Sequence, residues 1–439
     1  MPVNDDWTIG DDIRVGTTGD DIFEYFSKTG FDEFHGGIGH DGIVLQDNYF
    51  TDVSLTLQIG FMSSIEYVSN LDYSPANIEV KGMADFRNVS FTGKWTGNIT
   101  GSDEVDIIYL GTFPGSETGN VVTLDAGAGN DMIFGSTLEN ADVTIHGGVG
   151  NDTIQAVPRS TSTWSAEYKF YGDAGNDTII GWEDSDYING GTGDDHIMGL
   201  GGKDTLIGGA GSDNFYVNWY TNDWNTYIGG DGVIADSAVN RIIIENGEGW
   251  SPSMNKVYIE SWSDIDQVLN NSDGGATLYF RGSFDLSSVA LKDITGAVGG
   301  SGNDTIIGNV SYDTSLGGNR GILLDGQGGD DTIIGSVLGD VINGGAGNDI
   351  IQGRGGDDVI TGGSGTDWFW FETNNGVDTI ADFTVGEDKL VVGSSLSSIN
   401  LYYYDGGAST LVEFDGGSTY AILTGVDPTL ITGSDFLWA

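Results

Sequence analysis

The sequence contains no cysteine, so neither disulfide bonds nor thiolate-bound metals can hold this protein together. Basic residues are also scarce, because 15 Lys+Arg stand against 66 Asp+Glu and give a formal net charge of −51. Such an excess of negative charge argues against nucleic acids and anionic membrane surfaces as partners. No segment approaches the ~18 apolar residues of a membrane span, so membrane insertion is not expected.

Two signatures of hydrolases are missing as well. The four histidines, His35, His40, His146 and His196, are scattered and form no H-E-x-x-H zinc motif. No G-x-S-x-G nucleophile elbow occurs. With so many carboxylates, a chance pair at glycosidase spacing carries little weight. No stretch free of repeat-like sequence is long enough for a typical catalytic domain, so we do not expect an enzyme. The N-terminal MPVNDDWTIGDD shows no Sec-type signal.

Glycine, in contrast, is abundant, with 73 residues against 6 prolines, which is typical of a turn-rich β protein. Residues 326–370 form five uninterrupted nine-residue units: GQGGDDTII, GSVLGDVIN, GGAGNDIIQ, GRGGDDVIT and GGSGTDWFW. Residues 172–216 form five more: GDAGNDTII, GWEDSDYIN, GGTGDDHIM, GLGGKDTLI and GGAGSDNFY. Every unit has Asp at its sixth position and a large apolar residue at its eighth.

The letters of one unit predict its conformation. The first six residues are mostly Gly, Asn and Asp, which favour tight turns, and the last three favour a short strand. Because side chains alternate along a strand, the eighth residue faces inward. Two units then make one coil of a roll, and the turns of successive coils stack. Their aspartates and backbone carbonyls supply the hard oxygen ligands that suit calcium. A coil this thin and glycine-rich should not close without a cation.

The nonads resemble the RTX (repeats-in-toxin) family of secreted bacterial proteins, whose calcium-binding repeat is G-G-x-G-x-D-x-U-x. The resemblance implies an all-β, right-handed parallel β-roll or β-solenoid, with calcium between alternate units and export by a type I system. The alternative is an acidic, glycine-rich linker with chance periodicity. That alternative is disfavoured because Asp and Ile stay in phase over five units.

The predicted metal ligands are the sixth-position aspartates. In the contiguous blocks they are Asp177, Asp186, Asp195, Asp204, Asp213, Asp331, Asp340, Asp349, Asp358 and Asp367. Isolated units add Asp41, Asp131, Asp152 and Asp304, which contribute if the spacers bring a neighbour into register. The bland alternative for any one Asp is a turn residue that faces water.

Each predicted site joins units n and n+2, because two nonads make a coil. The expected pairs are Asp177 with Asp195, Asp186 with Asp204, Asp195 with Asp213, Asp331 with Asp349, Asp340 with Asp358, and Asp349 with Asp367. Units GWEDSDYIN and GSVLGDVIN lack the second and fourth glycines, which leaves their turn geometry and their metal open.

The blocks and the sequence between them suggest six regions. These are divergent repeats (1–44), a β spacer (45–125), a first roll (126–217), a second β spacer (218–298), a second roll (299–371), and a C-terminal β cap with the secretion signal (372–439). The two blocks are offset by 154 residues (326 − 172), which suggests a tandem duplication. The spacers are either irregular coils of the solenoid or small β subdomains.

The C-terminal region carries its own signals. The segment GVDTIADFTVGEDKLVV resembles the one that commonly closes RTX rolls, and Asp-Gly-Gly turns at 405–407 and 415–417 predict a meander. The final GVDPTLITGSDFLWA resembles the family's uncleaved export signal and can also be a capping strand. The aromatic clusters Phe215–Tyr216 and Trp368–Phe371 are either hydrophobic plugs or a carbohydrate platform or subunit interface. At least one tyrosine of Tyr402–Tyr404 should face outward.

These observations favour a secreted calcium-binding structural protein of a Gram-negative cell surface or extracellular matrix, such as a surface-layer or filament component. It would fold on calcium after export by type I machinery, and its partners would be copies of itself or a surface glycan. The alternatives are a carbohydrate-acting or carbohydrate-binding RTX protein, or an adhesin.

Overall fold

The computed structural model describes 20 segments of the chain: residues 13–15, 22–25, 32–35, 41–45, 55–63, 65, 67–70, 76–87, 89–93, 95–110, 121–135, 142–156, 168–218, 225–230, 239–245, 256–271, 275–308, 321–373, 375–417 and 419–439. These residues form β-strands joined by turns, with short 3₁₀ turns at Asp405–Gly407 and Gly433–Asp435. Across these segments no helix has the length and apolar character needed to cross a membrane.

The chain divides into two compact units, of which the first comprises Met1–Tyr216 and Asn225–Asn240. The strands that begin in it are β1 (Ile13–Val15), β2 (Ile22–Tyr25), β3 (Asp32–His35), β4 (Gly42–Leu45), β5 (Leu55–Ser63), β6 (Tyr67–Asn70), β7 (Ala76–Asp85), β8 (Ser90–Gly93), β9 (Trp95–Ser102), β10 (Ile107–Tyr109), β11 (Val121–Gly127), β12 (Met132–Phe134), β13 (Asp142–Val149), β14 (Thr153–Gln155), β15 (Tyr168–Ala174), β16 (Thr178–Ile180), β17 (Tyr187–Thr192), β18 (His196–Met198), β19 (Thr205–Ala210), β20 (Asn214–Asn218) and β21 (Asn225–Gly230).

Neighbouring strands in this unit are parallel, and along the first roll each strand pairs with the strand two places later. One series runs β11, β13, β15, β17, β19, and the other runs β12, β14, β16, β18, β20. In register, Ile179 lies opposite Ile197, and Ile197 opposite Phe215, so one coil spans two nonads. All five eighth-position residues of the block are at most 1% exposed. The predicted parallel β-roll and its apolar core are confirmed.

The second unit comprises Val217–Trp224 and Arg241–Ala439. The strands that begin in it are β22 (Arg241–Glu245), β23 (Lys256–Ser263), β24 (Gln267–Asn270), β25 (Ala276–Phe280), β26 (Phe284–Asp285), β27 (Ala290–Lys292), β28 (Ile294–Val298), β29 (Thr305–Ile307), β30 (Leu323–Asp325), β31 (Thr332–Ile334), β32 (Val341–Ala346), β33 (Ile350–Gln352), β34 (Val359–Ser364), β35 (Trp368–Phe371), β36 (Gly376–Ile380), β37 (Lys389–Val392), β38 (Ile399–Tyr404), β39 (Ser409–Phe414), β40 (Thr419–Leu423) and β41 (Phe436–Trp438).

The second roll repeats the architecture of the first. Strands β29, β31, β33, β35 and β37 form one parallel series, and β28, β30, β32, β34 and β36 form the other. Ile333 lies opposite Ile351, and Ile342 lies opposite Ile360. The nonad period therefore sets the register here too.

The spacers continue the coils. In residues 45–125, β5, β7, β9 and β11 form a parallel series like that of the nonads, with shifts of register between partners. In residues 241–298 of the second unit, β23, β25 and β28 pair in parallel, as do β22, β24 and β27. Of the two alternatives left open by the sequence, the described spacer strands therefore match irregular coils.

The C-terminal region ends the second roll with a change of topology. Strands β38, β39 and β40 form the antiparallel meander that the Asp-Gly-Gly turns predict, while β40 also pairs in parallel with β36. The last strand, β41, pairs in parallel with β37. Phe371 stacks on Phe414 with ring centroids 4.9 Å apart, and both side chains are buried. The meander therefore packs its own core onto the end of the roll.

Candidate calcium sites

The structure brings together all six aspartate pairs predicted from the 18-residue spacing. In each pair the backbone N–H of the earlier Asp donates to Oδ1 of the later one. The N–O distances are 2.8 Å for Asp177–Asp195, 3.0 Å for Asp186–Asp204, 2.9 Å for Asp195–Asp213, 2.8 Å for Asp331–Asp349, 2.7 Å for Asp340–Asp358 and 3.0 Å for Asp349–Asp367. We call each series of such bonds an aspartate ladder and each member a rung.

Three of the four isolated units join these ladders. Asp131 donates to Asp152 at 2.7 Å and Asp152 to Asp177 at 2.7 Å, while Asp304 donates to Asp331 at 2.7 Å. Their rungs are separated by 21, 25 and 27 residues instead of 18, so longer coils still stack their turns. Asp41 is also fully buried. The role of all these aspartates as metal ligands stays a prediction.

Five further rungs were not predicted from the sequence. Asp106 precedes Asp131, Asn225 follows Asp204, Asn240 follows Asp213, Asp378 follows Asp358, and Asp388 follows Asp367. Asp106 could have been found, because it is the sixth residue of the degenerate unit GSDEVDIIY. The two asparagines stand in no recognisable nonad.

Eight rungs of the described chain contain a buried oxygen with no donor. Across the described residues, one carboxylate oxygen of each of the following aspartates is buried and accepts no hydrogen bond: Oδ2 of Asp131, Asp152, Asp177, Asp195, Asp331, Asp349, Asp358 and Asp378. A buried carboxylate oxygen left in this way is strongly unfavourable. A cation held against these oxygens would remove the penalty, so the donor set fits calcium.

The first glycine of each nonad leaves room for this oxygen. A Cβ placed on Gly172 would lie 2.3 Å from Oδ2 of Asp177, and one on Gly353 would lie 2.0 Å from Oδ2 of Asp358. A side chain at the first position would therefore occupy the space around the free oxygen. This contact explains why all ten units of the two blocks begin with glycine.

In a second class of turn, Oδ2 of the aspartate accepts a hydrogen bond from a backbone N–H of its own turn. In five turns the N–H of the residue four places before the Asp donates to Oδ2 of that Asp. We call the five accepting aspartates the capped aspartates. The bonds are Ser102 to Asp106 (2.7 Å), Trp182 to Asp186 (3.0 Å), Gly300 to Asp304 (2.8 Å), Ser336 to Asp340 (2.6 Å) and Thr384 to Asp388 (2.7 Å). Two of these turns belong to the units that lack the second and fourth glycines.

The backbone at the second residue separates the two classes. In the uncapped turns of the recognisable nonads this residue has a positive φ, as at Asp173 and Gln327, both at 70°. Neither Trp182 nor Ser336 is among the positive-φ residues of the described chain. Asp340 accepts three hydrogen bonds, since Oδ1 also accepts from the Ile322 N–H at 2.8 Å and from the Ser336 hydroxyl at 3.1 Å. Asp106 accepts three as well, from the N–H of Gly82 and from the N–H and hydroxyl of Ser102. A cation fits the uncapped turns better than the capped ones.

Burial and the charge of neighbouring carboxylates raise the pKa of several rungs. Burial is the largest cause, and it raises the pKa of Asp195 to about 8 and that of Asp177 to about 7. The pKa of Asp131, Asp331, Asp349 and Asp367 is raised to about 6 for the same reason. The N–H of the preceding rung offsets part of this, whereas neighbouring carboxylates add to it. Without a cation, ionised ladders are therefore disfavoured near neutral pH.

The number of carboxylates at one point limits the kind of site. Among the described residues, no three His, Asp or Glu side chains converge as a metal-binding group. A cation between two coils would take side-chain oxygens from at most two aspartates and the rest from backbone carbonyls. Calcium accepts six to eight oxygen ligands, including carbonyls, in flexible geometry.

The aromatic clusters are mainly part of the core. Phe215 and Phe369 are fully buried, and Phe371 is 1% exposed, which favours the hydrophobic plug over a platform. Trp368 is 39% exposed. Tyr402, Tyr403 and Tyr404 are 48%, 62% and 43% exposed, so all three tyrosines of this strand reach solvent. The prediction of at least one outward tyrosine is confirmed.

A family model matches the repeated part of the chain. A model of the RTX calcium-binding nonapeptide repeat matches residues 122–137, 140–156, 169–197, 189–218, 297–319 and 334–369, about a third of the chain. No curated protein matches the chain. Among solved structures, the extracellular lipase LipA from Serratia marcescens is similar, with 20% sequence identity and a TM-score of 0.20. That alignment covers 68% of this chain and 45% of the lipase chain, less than half of its length.

The matched segments include the whole of the first contiguous block and most of the second. RTX repeats are calcium-binding and imply a bacterial protein exported by a type I system. The predicted calcium cofactor is thereby confirmed at the level of the repeats. This chain therefore carries RTX calcium-binding nonapeptide repeats in both of its structural units.

Proposed function

We propose that this chain is a calcium-loaded structural protein of the bacterial cell surface or extracellular matrix, a surface-layer or filament component that folds on calcium after export. The observation that carries the proposal is the series of buried carboxylate oxygens without donors in both units. Such ladders make the folded state depend on cations. Extracellular calcium modules of other folds work at roughly 10⁻⁴–10⁻³ M, so folding would follow exit from the calcium-poor cytosol.

The continuity of the coils supports a structural role. Parallel coils occupy the nonad blocks and also the described spacer strands, such as β5 with β7 and β23 with β25. A solenoid of stacked coils is an extended scaffold in which each coil contacts mainly its neighbours. Scaffolds of this kind suit assembly with further copies of the same chain.

The first test is calcium-dependent folding of the full chain, followed by circular dichroism in EDTA, in calcium and in magnesium. Near neutral pH we expect most of the β structure to require calcium, with only a residual, weakly stable part left in EDTA. Magnesium should not replace calcium, because it demands a near-ideal octahedral site and gives up its water reluctantly. An intact β fold in EDTA would contradict the folding switch.

The second test is assembly, imaged by electron microscopy of the same samples. Ordered sheets or filaments that form on calcium addition and disperse in EDTA would support the structural role. Dispersed, folded particles at high protein concentration would instead count against it, while leaving calcium-dependent folding intact.

One observation favours a second candidate, glycan binding or adhesion by the C-terminal meander. The three exposed tyrosines lie on β38, which pairs with β39, and the Tyr402 hydroxyl donates to Glu413 at 2.9 Å. Amphipathic aromatic side chains of this kind are common at binding surfaces. Glycan-array binding that is lost in Tyr403→Ala and kept in Trp438→Ala, a change at another exposed aromatic, would support this candidate.

A further inference from the structure

The segment after the second block contains two further nonads, which inserted residues separate from the nine-residue spacing of the block. A two-residue insertion, 371–372, puts TNNGVDTIA (373–381) in phase, with Asp378 sixth and Ile380 eighth. One more inserted residue puts FTVGEDKLV (383–391) in phase, with Asp388 sixth and Leu390 eighth. The match to the RTX repeat model ends before both, at residue 369.

The structure treats both segments as coils of the roll. Ile380 lies opposite Ile360, and Leu390 lies opposite Phe369, in the same strand register as the eighth positions of regular units. Ile380 and Leu390 are fully buried. The apolar core of the roll therefore extends through residue 390.

The turn before Ile380 also has nonad geometry. Gly376 has a φ of +90°, and a Cβ on it would lie 2.0 Å from the carbonyl oxygen of Gly356. The fourth-position Gly193 of the first block shows the same contact, with its Cβ position 2.1 Å from the carbonyl oxygen of Gly175. The N–H of Val377 donates to Oδ1 of Asp357 at 2.9 Å, as fifth-position residues do elsewhere in the rolls. The turn before Ile380 therefore stacks as a regular nonad does at its fourth and fifth positions, although its sequence lacks the first two glycines.

Asp358 and Asp378 form the last uncapped pair of their ladder. The N–H of Asp358 donates to Oδ1 of Asp378 at 3.1 Å, and the two residues are 1% and 0% exposed. Oδ2 of each is buried, and no N–H or hydroxyl of another described residue donates to it. Apart from the backbone N–H bonds that Oδ1 accepts, the two carboxyl groups can hydrogen-bond within the described chain only to each other, through a proton that a cation would replace. Asp388, in contrast, is capped by the N–H of Thr384.

We propose that Asp358 and Asp378 hold a further hard divalent cation of the calcium class, in a site that lies beyond the recognisable repeats. The two carboxylates would supply the side-chain oxygens of this site, and backbone carbonyls of the turn of residues 353–358 would supply the remaining ligands. The inference rests on the proposed calcium loading of the regular turns. The other concealed unit, with its capped Asp388, holds no ion of its own.

Anomalous diffraction tests the site on the unmodified full chain crystallised with terbium in place of calcium. We expect a peak between Asp358 and Asp378 and peaks at the regular turns, such as between Asp331 and Asp349. Peaks at the regular turns alone would overturn this inference and leave the proposed function standing. No peak at any turn would overturn both.

Ion counting on variants gives an independent measurement. Equilibrium dialysis against calcium, followed by elemental analysis, should show one ion fewer in Asp378→Asn than in the unmodified chain. Asn retains the Oδ1 acceptor, as Asn225 and Asn240 do at other rungs. Glu387→Gln removes the same charge from an exposed position nearby and should keep the full count. Equal counts in the two variants would refute the site, and if Asp378→Asn does not fold, the anomalous map decides.

Discussion

The two units end their aspartate ladders on different chemical groups. In the first unit the last rungs are amides, Asn225 after Asp204 and Asn240 after Asp213. In the second unit the last rungs are carboxylates, Asp378 after Asp358 and Asp388 after Asp367. Each of these four last rungs accepts one N–H through Oδ1, which an amide does as well as a carboxylate. The comparison therefore separates two roles: Oδ1 aligns the coils, and the charged second oxygen serves a cation.

The largest expected effect is that of pH on the calcium-free chain, because it acts on many rungs at once. The folded pKa of Asp195 is raised to about 8 and that of Asp177 to about 7, from a normal value of 3.8. Stability from a raised folded pKa is fully present below the unfolded pKa and is lost as pH rises through the folded pKa. In EDTA, the chain should therefore gain stability when the pH falls from 8 to 5.

Thermal melting followed by circular dichroism measures this gain, and hydrogen exchange locates it. The pKa of Asp378 is also raised, first by burial and then by the charge of Asp358, so the carboxylate-ended ladder should respond more than its amide-ended counterparts. In saturating calcium, acidification should instead lower the stability of the chain, because protons compete with the ion for the carboxylates. A melting temperature that falls on acidification in EDTA would contradict the claim that burial raises the pKa of the ladder aspartates.

The next effect is that of Asp195→Asn, which turns an inner rung into the amide seen at the ladder ends. In calcium we expect a loss of about 3 kcal/mol, the linkage free energy of one site at ~100 times its Kd. In EDTA the same change should stabilise the chain, because it removes a buried charge. Denaturant unfolding in both conditions measures the two signs. Asp427→Asn, an exposed turn position, is the matched control and should be near neutral in both. A loss of equal size with and without calcium would show that only coil alignment was affected.

The smallest effect is that of the reverse change, Asn225→Asp, which gives the first unit a carboxylate end. Asn225 is 7% exposed and accepts the N–H of Asp204 at 2.9 Å, so a carboxylate should take its place in the ladder. We expect a destabilisation of about 1 kcal/mol in EDTA from the added buried charge. In calcium the loss should be reduced or reversed. A calcium-independent loss would mean that a ladder end cannot recruit an ion.

The sequence predicts the repeated part of the molecule well because one coil there is two nonads. That period is enough to place Ile179 opposite Ile197 and to pair Asp331 with Asp349. The spacing is less informative where coils lengthen to 21–27 residues, since stacked turns keep register while the extra residues lie elsewhere in the coil. Asp378 was missed for this reason, after an insertion of two residues.

The capping of aspartates could not be predicted from the Asp itself. Asp340 and Asp358 occupy the same position of their nonads, yet only Asp340 accepts an N–H from the second residue of its own turn. The difference lies in the backbone two residues into the turn, where Arg354 has a φ of 69° and Ser336 does not adopt a positive φ. Non-glycine residues rarely adopt a positive φ, and the positions at which they do so cannot be predicted from a single sequence.

The position of the capped aspartates has a consequence for how an ion-bridged stack can begin. Asp106, Asp186, Asp304 and Asp340 each precede the uncapped members of their series. Coils precede each of these aspartates, but the first aspartate of a ladder has no earlier aspartate with which to share an ion. A carboxylate oxygen without a donor there would be left unsatisfied. The peptide's own N–H satisfies that oxygen, much as end modules close other solenoids. The first ion of each ladder can therefore bind at the uncapped aspartate that follows the capped one, and the capped turn forms without metal.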